Sequence, residues 1–231
     1  MENNQTPQPA PKRRKRIIAV GVICAVAIAA GVGLFVWHEQ PSFCAAICHT
    51  PMDAYYDNYA TGETDKYGMP VDEAARTSMT AYRHQSTQGT TCLDCHVPTL
   101  NEQISEGANW VTGNYTVAGD NLKGQTILTT RSLDQLTEAR GVEGNEFCQN
   151  DSCHNLSFEE LEAATAHLEG RNPHSFAHGE MPCSDCHKAH SQSVNKCGEC
   201  HGDAPLPDGW LAPQAANAMA EGAVAANNQA A

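Results

Sequence analysis

Large apolar side chains are scarce in most of this chain. Phe, Trp and Tyr together make up 6% of the 231 residues. Much of the other apolar content lies in one run near the N-terminus and in an alanine-rich tail. A chain of this length can form one or two domains, but this composition does not predict a large aromatic core. We therefore expect the fold to be organised by something other than its own apolar side chains.

Positive charge is also in short supply. The chain has 14 Lys and Arg residues against 27 Asp and Glu, and five of the cations form the block KRRKR at residues 12–16. From residue 38 onward nine cations remain against twenty-six acids. A surface this acidic repels the phosphates of nucleic acids. The sequence therefore predicts no nucleic-acid partner.

One long uncharged run is present, IIAVGVICAVAIAAGVGLFVW at residues 17–37. A helix of this length, at about 1.5 Å per residue, spans a bilayer core of roughly 30 Å. The preceding basic block predicts a cytoplasmic N-terminus, with the remaining chain on the extracytoplasmic side of the cell membrane. A cleaved signal peptide is the alternative, but its apolar core would be shorter, and VWHEQPSF offers no good cleavage site. We predict an uncleaved single-pass anchor in the lipid bilayer.

Ten of the eleven cysteines form five pairs, and a histidine follows each pair directly. Cys24, the exception, lies in the apolar run and is most simply a small hydrophobic residue. The paired cysteines are Cys44 and Cys48, Cys92 and Cys95, Cys148 and Cys153, Cys183 and Cys186, and Cys197 and Cys200. The histidines that follow them are His49, His96, His154, His187 and His201.

Three chemistries compete for these motifs. Disulfides use an even number of cysteines, and zinc uses CxxC pairs, but neither requires a histidine after each pair. Attachment of c-type haem does require it, because two thiols bind the porphyrin and the adjacent imidazole binds the iron. We predict five covalently bound haem c groups. The first and third motifs, CAAICH and CQNDSCH, have three and four residues between their cysteines, and we include them.

The remaining histidines can supply a second axial ligand to each iron. They are His38, His84, His167, His174, His178 and His190. We predict that all except His38 bind iron; the alternative for each is a solvated surface residue. His190 follows His187 by three residues, too few to pass around the porphyrin that His187 holds. We therefore expect His190 to bind a neighbouring haem.

The fold class predicted is mainly α, with much irregular loop and little or no sheet, because no substantial strand pattern is present. The ectodomain is a multihaem c-type cytochrome behind a single N-terminal transmembrane helix. The predicted segments are a cytoplasmic basic segment at 1–16, the anchor at 17–37, a first region of two haems at 38–98, a haem-free helical connector at 99–146, a tri-haem region at 147–203 and a flexible tail at 204–231.

The stretch NPHSFAHGEMPCSDCHKAHSQSVNKCGECH at residues 172–201 resembles the haem domain of flavocytochrome c fumarate reductases and the related small tetrahaem cytochromes. The resemblance covers residues 147–202 and implies that His174, His178 and His190 are the distal iron ligands. No G-x-G-x-x-G opens a helix here, so the flavin domain of those reductases has no counterpart. The resemblance therefore implies a separate extracytoplasmic flavoprotein reductase as the partner.

Two other stretches, FCAAICHTPMDAYY and RHQSTQGTTCLDCHVP, are similar to the NapC/NirT/NrfH family of membrane-anchored quinol dehydrogenases. The likeness spans residues 17–98. It implies that the first haem lies at the membrane surface and receives electrons from a membrane quinol of the menaquinol type. It also implies that Met52 binds the first iron, with ordinary ligation by His49 as the alternative.

Together these features predict an electron-transfer subunit of anaerobic respiration, with quinol dehydrogenase activity left open. Quinol oxidation releases protons, for which Asp53, Asp57, Glu63 and Asp65 are available acceptors; we assign no catalytic residue. One alternative is electron donation to a multihaem nitrite reductase, and another is direct reduction of a small molecule at an open haem. A homo-oligomer is also compatible with the sequence.

Overall fold

The computed structural model describes residues 11–168, 170–175 and 178–228, without the side chains of residues 11, 12, 49 and 223–228. The helices are α1 (Pro11–His38), α2 (Pro41–Ile47), α3 (His49–Thr61), α4 (Glu73–Ser78), α5 (Thr80–Gln88), α6 (Cys92–Cys95), α7 (Leu100–Thr112), α8 (Leu133–Thr137), α9 (Gly144–Cys148), α10 (Phe158–Ala164), α11 (Cys183–Cys186) and α12 (Pro213–Asn228). Two 3-10 turns lie at Glu138–Arg140 and Lys196–Glu199. The predicted fold class, mainly helical with little sheet, is confirmed.

The first helix, α1, is long and apolar enough between Arg13 and His38 to cross a membrane. None of its most apolar 18-residue window is buried within the described chain. By length and composition this helix fits a membrane anchor or a signal sequence. The cytoplasmic location of the N-terminus stays a prediction.

The predicted helical connector contains a β-hairpin. Strands β1 (Val117–Asp120) and β2 (Thr126–Leu128) pair antiparallel, with a bulge in β1. The turn between them is closed by Asn121, whose Oδ1 accepts bonds from the backbone N–H groups of Lys123 and Gln125, each 2.9 Å long. An Asn that bonds its own turn in this way favours a hairpin over a continuous helix.

Helix starts in the connector follow their capping signals. The stretch SLDQLTEARG predicts a helix that Ser132 caps and Gly141 ends. In the structure Ser132 caps α8 and forms a capping box with Gln135, and Gly141 ends the following 3-10 turn in a left-handed conformation. The stretch LSFEELEAATAHLEG at residues 156–170 predicts a helix with Gly170 past its end, but α10 is shorter and ends at Ala164. The Thr165 hydroxyl bonds back to the Leu161 carbonyl at 2.7 Å, a contact that competes with helix continuation.

The C-terminal tail also differs from expectation. We expected residues 204–231 to be flexible, but the structure forms α12 over Pro213–Asn228. Proline suits the first position of a helix, and alanine has the highest helix propensity. The composition that suggested flexibility therefore also favours a helix.

The side chains that the chain does bury are mostly small or polar. The buried hydrophobic residues are Ala54, Ala75, Met79, Ile127 and Val194. The buried polar residues are Asn58, Thr64, Asp65, Ser78, Asn121, Thr137, Ser193 and Asn195. Hydrogen bonds, rather than an apolar core, hold together much of the described chain that follows α1.

One segment ties the C-terminal region to the N-terminal region, and we call residues 188–193 the His190 strap. The Lys66 N–H donates to the His190 carbonyl at 2.7 Å. The N–H groups of Thr80 and Ala81, at the start of α5, donate to the Lys188 and Ala189 carbonyls of the strap at 2.9 and 3.1 Å. These bonds join residues more than a hundred positions apart, so the two haem-bearing regions form one structure.

Next to the strap, Gly209 lies against the end of α4. Its carbonyl accepts a hydrogen bond from the Ser78 hydroxyl at 3.0 Å, and its φ is +76°. A Cβ at this position would overlap the Ala74 backbone. The close approach requires glycine.

We expect Gly209→Ala to lower the melting temperature of the haem-loaded protein. The matched control is Gly141→Ala, which has a φ of +66° but meets no atom within 4 Å of its Cβ. The control loses about 1 kcal/mol from left-handed strain, whereas Gly209→Ala loses about 1–3 kcal/mol more from overlap. Equal melting temperatures for the two variants would contradict the close approach.

Candidate haem sites

The four motifs whose histidine is described share one backbone bond. In each, the histidine N–H donates to the carbonyl of the first cysteine. The bonds run from His96 to Cys92 (2.8 Å), His154 to Cys148 (3.1 Å), His187 to Cys183 (2.9 Å) and His201 to Cys197 (2.9 Å). In the long third motif the chain still closes this bond, because the Cys153 N–H bonds to the Asn150 carbonyl at 3.0 Å and takes up the extra residues as a turn.

Each of these four histidines faces a second histidine from elsewhere in the chain. The ring centroids are 6.3 Å apart for His96 and His190, 5.8 Å for His84 and His154, 6.3 Å for His174 and His187, and 5.9 Å for His178 and His201. The structure thus brings four of the five predicted distal histidines opposite four of the predicted proximal ones. His190 faces His96 and not its near neighbour His187; its ligation of a neighbouring haem stays a prediction.

The separation of the rings fits ligation of one iron by two imidazoles. A metal–imidazole bond is about 2 Å long and the ring centre lies roughly 1 Å beyond the nitrogen, so two opposed ligands have centroids about 6 Å apart. The residues present therefore fit haem c: the paired cysteines would hold the porphyrin and the facing histidines would hold the iron.

Zinc fits less well. A structural zinc site needs four ligands, usually Cys and His, around one point. Within the part of the chain that the structure describes, no group of three or more His, Cys, Asp or Glu residues converges in this way. Facing histidine pairs beside paired cysteines match haem attachment instead.

Cysteines of consecutive motifs lie close enough that the charge of one thiolate raises the pKa of the neighbouring thiol. The neighbours are Cys44 with Cys92, Cys95 with Cys153, Cys148 with Cys183, and Cys186 with Cys197. The five attachment sites therefore follow each other in space in the same order as in the sequence.

The pair His84 and His154 also lies near the pair His174 and His187. Burial lowers the pKa of His187 to about 4, and the charges of His174, His154 and His84 lower it further, which requires all three to be close to His187.

Two of the distal histidines are held through their Nδ1 atoms. The Nδ1 of His190 lies 3.1 Å from Asn58 Oδ1, and the Nδ1 of His174 lies 3.1 Å from the Thr165 hydroxyl. A partner at Nδ1 fixes the ring and leaves Nε2 available for a metal. Burial also lowers the pKa of His190 to about 3, with contributions from His96 and Lys66, so its imidazole is neutral, as ligation requires.

Aromatic rings pack edge-on against two of these imidazoles. The Tyr55 ring lies 5.3 Å from the His190 ring, and the Trp210 ring lies 5.1 Å from the His187 ring. Sequence analysis did not identify Asn58, Thr165, Tyr55 or Trp210 as site residues. No motif marks them, because each reaches its histidine only through the folded structure.

The first motif is built differently. Cys44 lies in α2, and the Cys48 N–H bonds to the Cys44 carbonyl at 3.0 Å, so both thiols lie near the start of α3. Met52 lies on the first turn of α3 and is half-buried, with its N–H bonded to the Cys48 carbonyl at 3.1 Å. The His49 side chain lies outside the described part. Ligation of the first iron by His49 or Met52 stays a prediction.

Two other histidines lie outside the four pairs. His167, which we predicted as a ligand, is exposed in the turn that follows α10. His38, which we did not, bonds Glu39 at 3.2 Å and contacts the Phe43 ring at 4.9 Å. The geometry therefore supports an iron-binding role for four of the predicted distal histidines and gives no such support for His167.

Comparison with known proteins agrees with this chemistry. The model of the cytochrome c3 family matches residues 132–202, which include the last three motifs. The cytochrome c-type protein Cgr1 of Eggerthella lenta is 52% identical over 219 residues, which cover 93% of this chain and 95% of that relative. No solved structure matches the chain significantly. The resemblances to quinol dehydrogenases and to fumarate reductases stay predictions.

We expect intact-mass measurement to find five haems on the mature protein. The double variant Cys148→Ser/Cys153→Ser should lose one haem, and so should its control in a motif of ordinary spacing, Cys183→Ser/Cys186→Ser. A haem count that is unchanged in the first variant but lowered by one in the second would show that the long motif carries no haem.

The ring planes predict one unusual iron among the four paired sites. The planes of His84 and His154 meet at 52°, whereas the other pairs lie between 9° and 27°. Nearly parallel imidazoles split the iron d orbitals strongly, while more crossed planes split them less and raise the largest g value. We expect one such signal in the EPR spectrum of the oxidised protein.

His84→Ala should remove that signal and His174→Ala should leave it in place. The same largest g value for the haem signals of all four paired sites would contradict the ring geometry.

Proposed function

The chain belongs to the family of the cytochrome c-type protein Cgr1 and is a c-type electron-transfer protein, and we propose that it takes electrons from membrane quinol and relays them to an extracytoplasmic reductase. Each bound haem would accept and donate one electron. The quinol would donate electrons near the first haem motif, and the reductase would accept them near the fifth.

The observation that carries the relay is the ordered series of attachment sites with facing histidine pairs. Two imidazoles on one iron leave no axial position for a small substrate. The chain's residues therefore favour electron transfer over direct reduction of a small molecule at these four sites. The ordered series supports a path from the first motif to the fifth.

The first motif lies directly beyond the candidate membrane helix. Helix α2 begins three positions after α1 ends, and the Trp37 indole N–H donates to the Ser42 hydroxyl at 3.2 Å. The Trp37 and Phe43 rings also contact each other edge-on, with centroids 5.1 Å apart. Tryptophan is enriched at membrane surfaces. These contacts support a first haem at the bilayer surface, where a lipid-soluble quinol can reach it.

Helix α7 adds an apolar surface to the same end. Its exposed side chains Leu100, Ile104 and Val111 are spaced by four and seven residues and form one stripe. The helix is held beside the first motif because the Trp110 indole N–H donates to the Thr50 carbonyl at 3.2 Å. An apolar stripe next to the end of α1 supports contact with the lipid surface.

A cavity of about 400 Å³ lies at this end. Glu39, which follows α1, lines it together with Gln103 of α7 and Arg140, while Leu93, Val97 and other apolar residues form much of the remaining wall. Mostly apolar cavities of this size with a few polar groups suit small organic ligands. We propose that a quinol ring binds here, beside the second haem motif.

Glu39 is a suitable proton acceptor for a quinol in this cavity. Its carboxylate is exposed and bonds His38 Nδ1 at 3.2 Å, which offers a route for the proton onward. Of the acids considered from sequence, Asp65 is 1% exposed and its Oδ1 accepts two backbone N–H bonds. Burial raises the pKa of Asp65 to about 6, but Asp65 does not line this cavity.

The other end would meet the acceptor. His178 is exposed, as is Cys200 of the fifth motif, which ends the series of attachment sites. We propose a separate flavoprotein of the fumarate reductase type as the partner, because the C-terminal motifs resemble the haem module of such enzymes and the chain lacks their flavin-binding motif. A multihaem nitrite reductase is the alternative acceptor.

We expect the full-length protein in lipid nanodiscs to be reduced by a menaquinol analogue without any other subunit. Glu39→Gln should slow this reduction roughly 100-fold, since loss of a positioned base costs about that much. The control is Glu63→Gln, which changes an exposed acid that does not line the cavity and should leave the rate unchanged. Stopped-flow absorbance of the haem bands gives the rate.

Failure of the unaltered protein to accept electrons from the analogue would contradict the quinol role. Equal rates in the two variants would contradict the role of Glu39 alone. Mixing the reduced protein with a purified fumarate-reductase-type flavoprotein, and separately with a nitrite reductase, then identifies the acceptor by which one reoxidises it.

A further inference from the structure

His190, like His84, pairs with a histidine of the other haem-bearing region. It comes from the C-terminal region but faces His96 of the second motif, so this site is completed across the two haem-bearing regions. Its backbone carbonyl is fixed by the Lys66 N–H at 2.7 Å. Its ring is bounded by the Tyr55 ring at 5.3 Å. What sets the orientation of the imidazole is the bond at Nδ1.

The partner at Nδ1 is the side-chain oxygen of Asn58, 3.1 Å away. Asn58 lies on α3 and is 0% exposed. Its Nδ2 donates to the Thr64 carbonyl at 3.2 Å and to Met79 Sδ at 2.8 Å. Both of these partners can only accept, so the nitrogen of the amide must face them and the oxygen must face His190.

This amide orientation also determines the tautomer of His190. An amide oxygen cannot donate, so Nδ1 must carry the hydrogen and Nε2 must carry the lone pair. Tyr55 is fixed in turn, because its hydroxyl accepts from the Leu128 N–H at 2.9 Å. The imidazole is therefore presented to His96 in one tautomer and one orientation.

We propose that Asn58 is a positioning residue for the second haem: it holds His190 in the tautomer that binds iron and sets how strongly that imidazole donates. Nothing in this proposal depends on the electron donor or acceptor. It depends only on haem attachment at the second motif.

The hydrogen-bond partner at Nδ1 controls the donor strength of the metal ligand. A carboxylate in place of the amide would draw the Nδ1 proton and make Nε2 a stronger donor. The oxidised iron has the higher charge, so it gains more from a stronger donor and the reduction potential falls. An apolar side chain would remove the bond and have the opposite effect.

The test is an EPR-monitored redox titration of the full-length protein, with the second haem identified by the signal that His190→Ala removes. Asn58→Asp, measured at alkaline pH, should lower the potential of that haem, and Asn58→Leu should raise it. Changing an outer partner typically alters metal binding 10–100-fold. Each tenfold difference between the oxidised and reduced forms corresponds to about 59 mV for one electron.

Two controls separate positioning from packing. Met79→Leu removes one of the two acceptors of the Asn58 Nδ2 and keeps both the bond to the Thr64 carbonyl and the bond to His190, so it should leave the potential and the g values of the second haem unchanged. Thr165→Val removes the Nδ1 partner of His174 and should shift a different haem.

Shifts of opposite sign in Asn58→Asp and Asn58→Leu support the proposal. Shifts of the same sign, or an equal shift in Met79→Leu, would show a packing role and overturn it. An unchanged potential in both Asn58 variants would overturn it as well. Should Asn58→Leu fail to fold, Asn58→Asp, which keeps the shape of the side chain, decides the matter by the presence or absence of the lowered potential.

Discussion

The interaction on which the structure depends is the facing of two imidazole rings about 6 Å apart. This distance is too long for tight contact between the rings and suits a metal held between them. It occurs four times, each time between a histidine that follows a cysteine pair and one from another part of the chain. The rest of the fold serves these pairs, since its turns, short helices and the His190 strap bring each second histidine into place.

This dependence explains the unusual interior. A domain normally gains its stability by burying apolar side chains, but here Asn58, Ser78, Ser193 and Asn195 are among the buried residues and few large apolar ones accompany them. Covalently held porphyrins would supply the apolar bulk, while the buried polar residues supply directional bonds. Such bonds fix geometry better than apolar contact does, and a ligand set requires fixed geometry.

The two ends of the molecule differ in character. At one end lie the apolar helix α1, the stripe on α7 and a cavity with a single described carboxylate, Glu39, in its wall. At the other end the fifth motif exposes Cys200 on the acidic part of the chain that follows α1. A lipid-soluble donor suits the first surface and a water-soluble protein acceptor suits the second. Two histidine pairs, His96 with His190 and His84 with His154, join the two regions, and Asn58 holds the distal ring of the first pair.

The sequence by itself determined the chemistry: cysteine pairs followed by histidine specify haem attachment because the reacting groups are adjacent in the chain. It also determined the mainly helical class and the α8 cap at Ser132, since these depend on local signals. Only the tertiary structure decided which histidines face each other, why His167 stands apart, and that Asn58 and Thr165 hold the distal rings. It also placed a hairpin in the connector and a helix in the tail. The reason is that a ligand pair such as His96 and His190 joins residues far apart in sequence, and their meeting depends on the bonds of every segment between them.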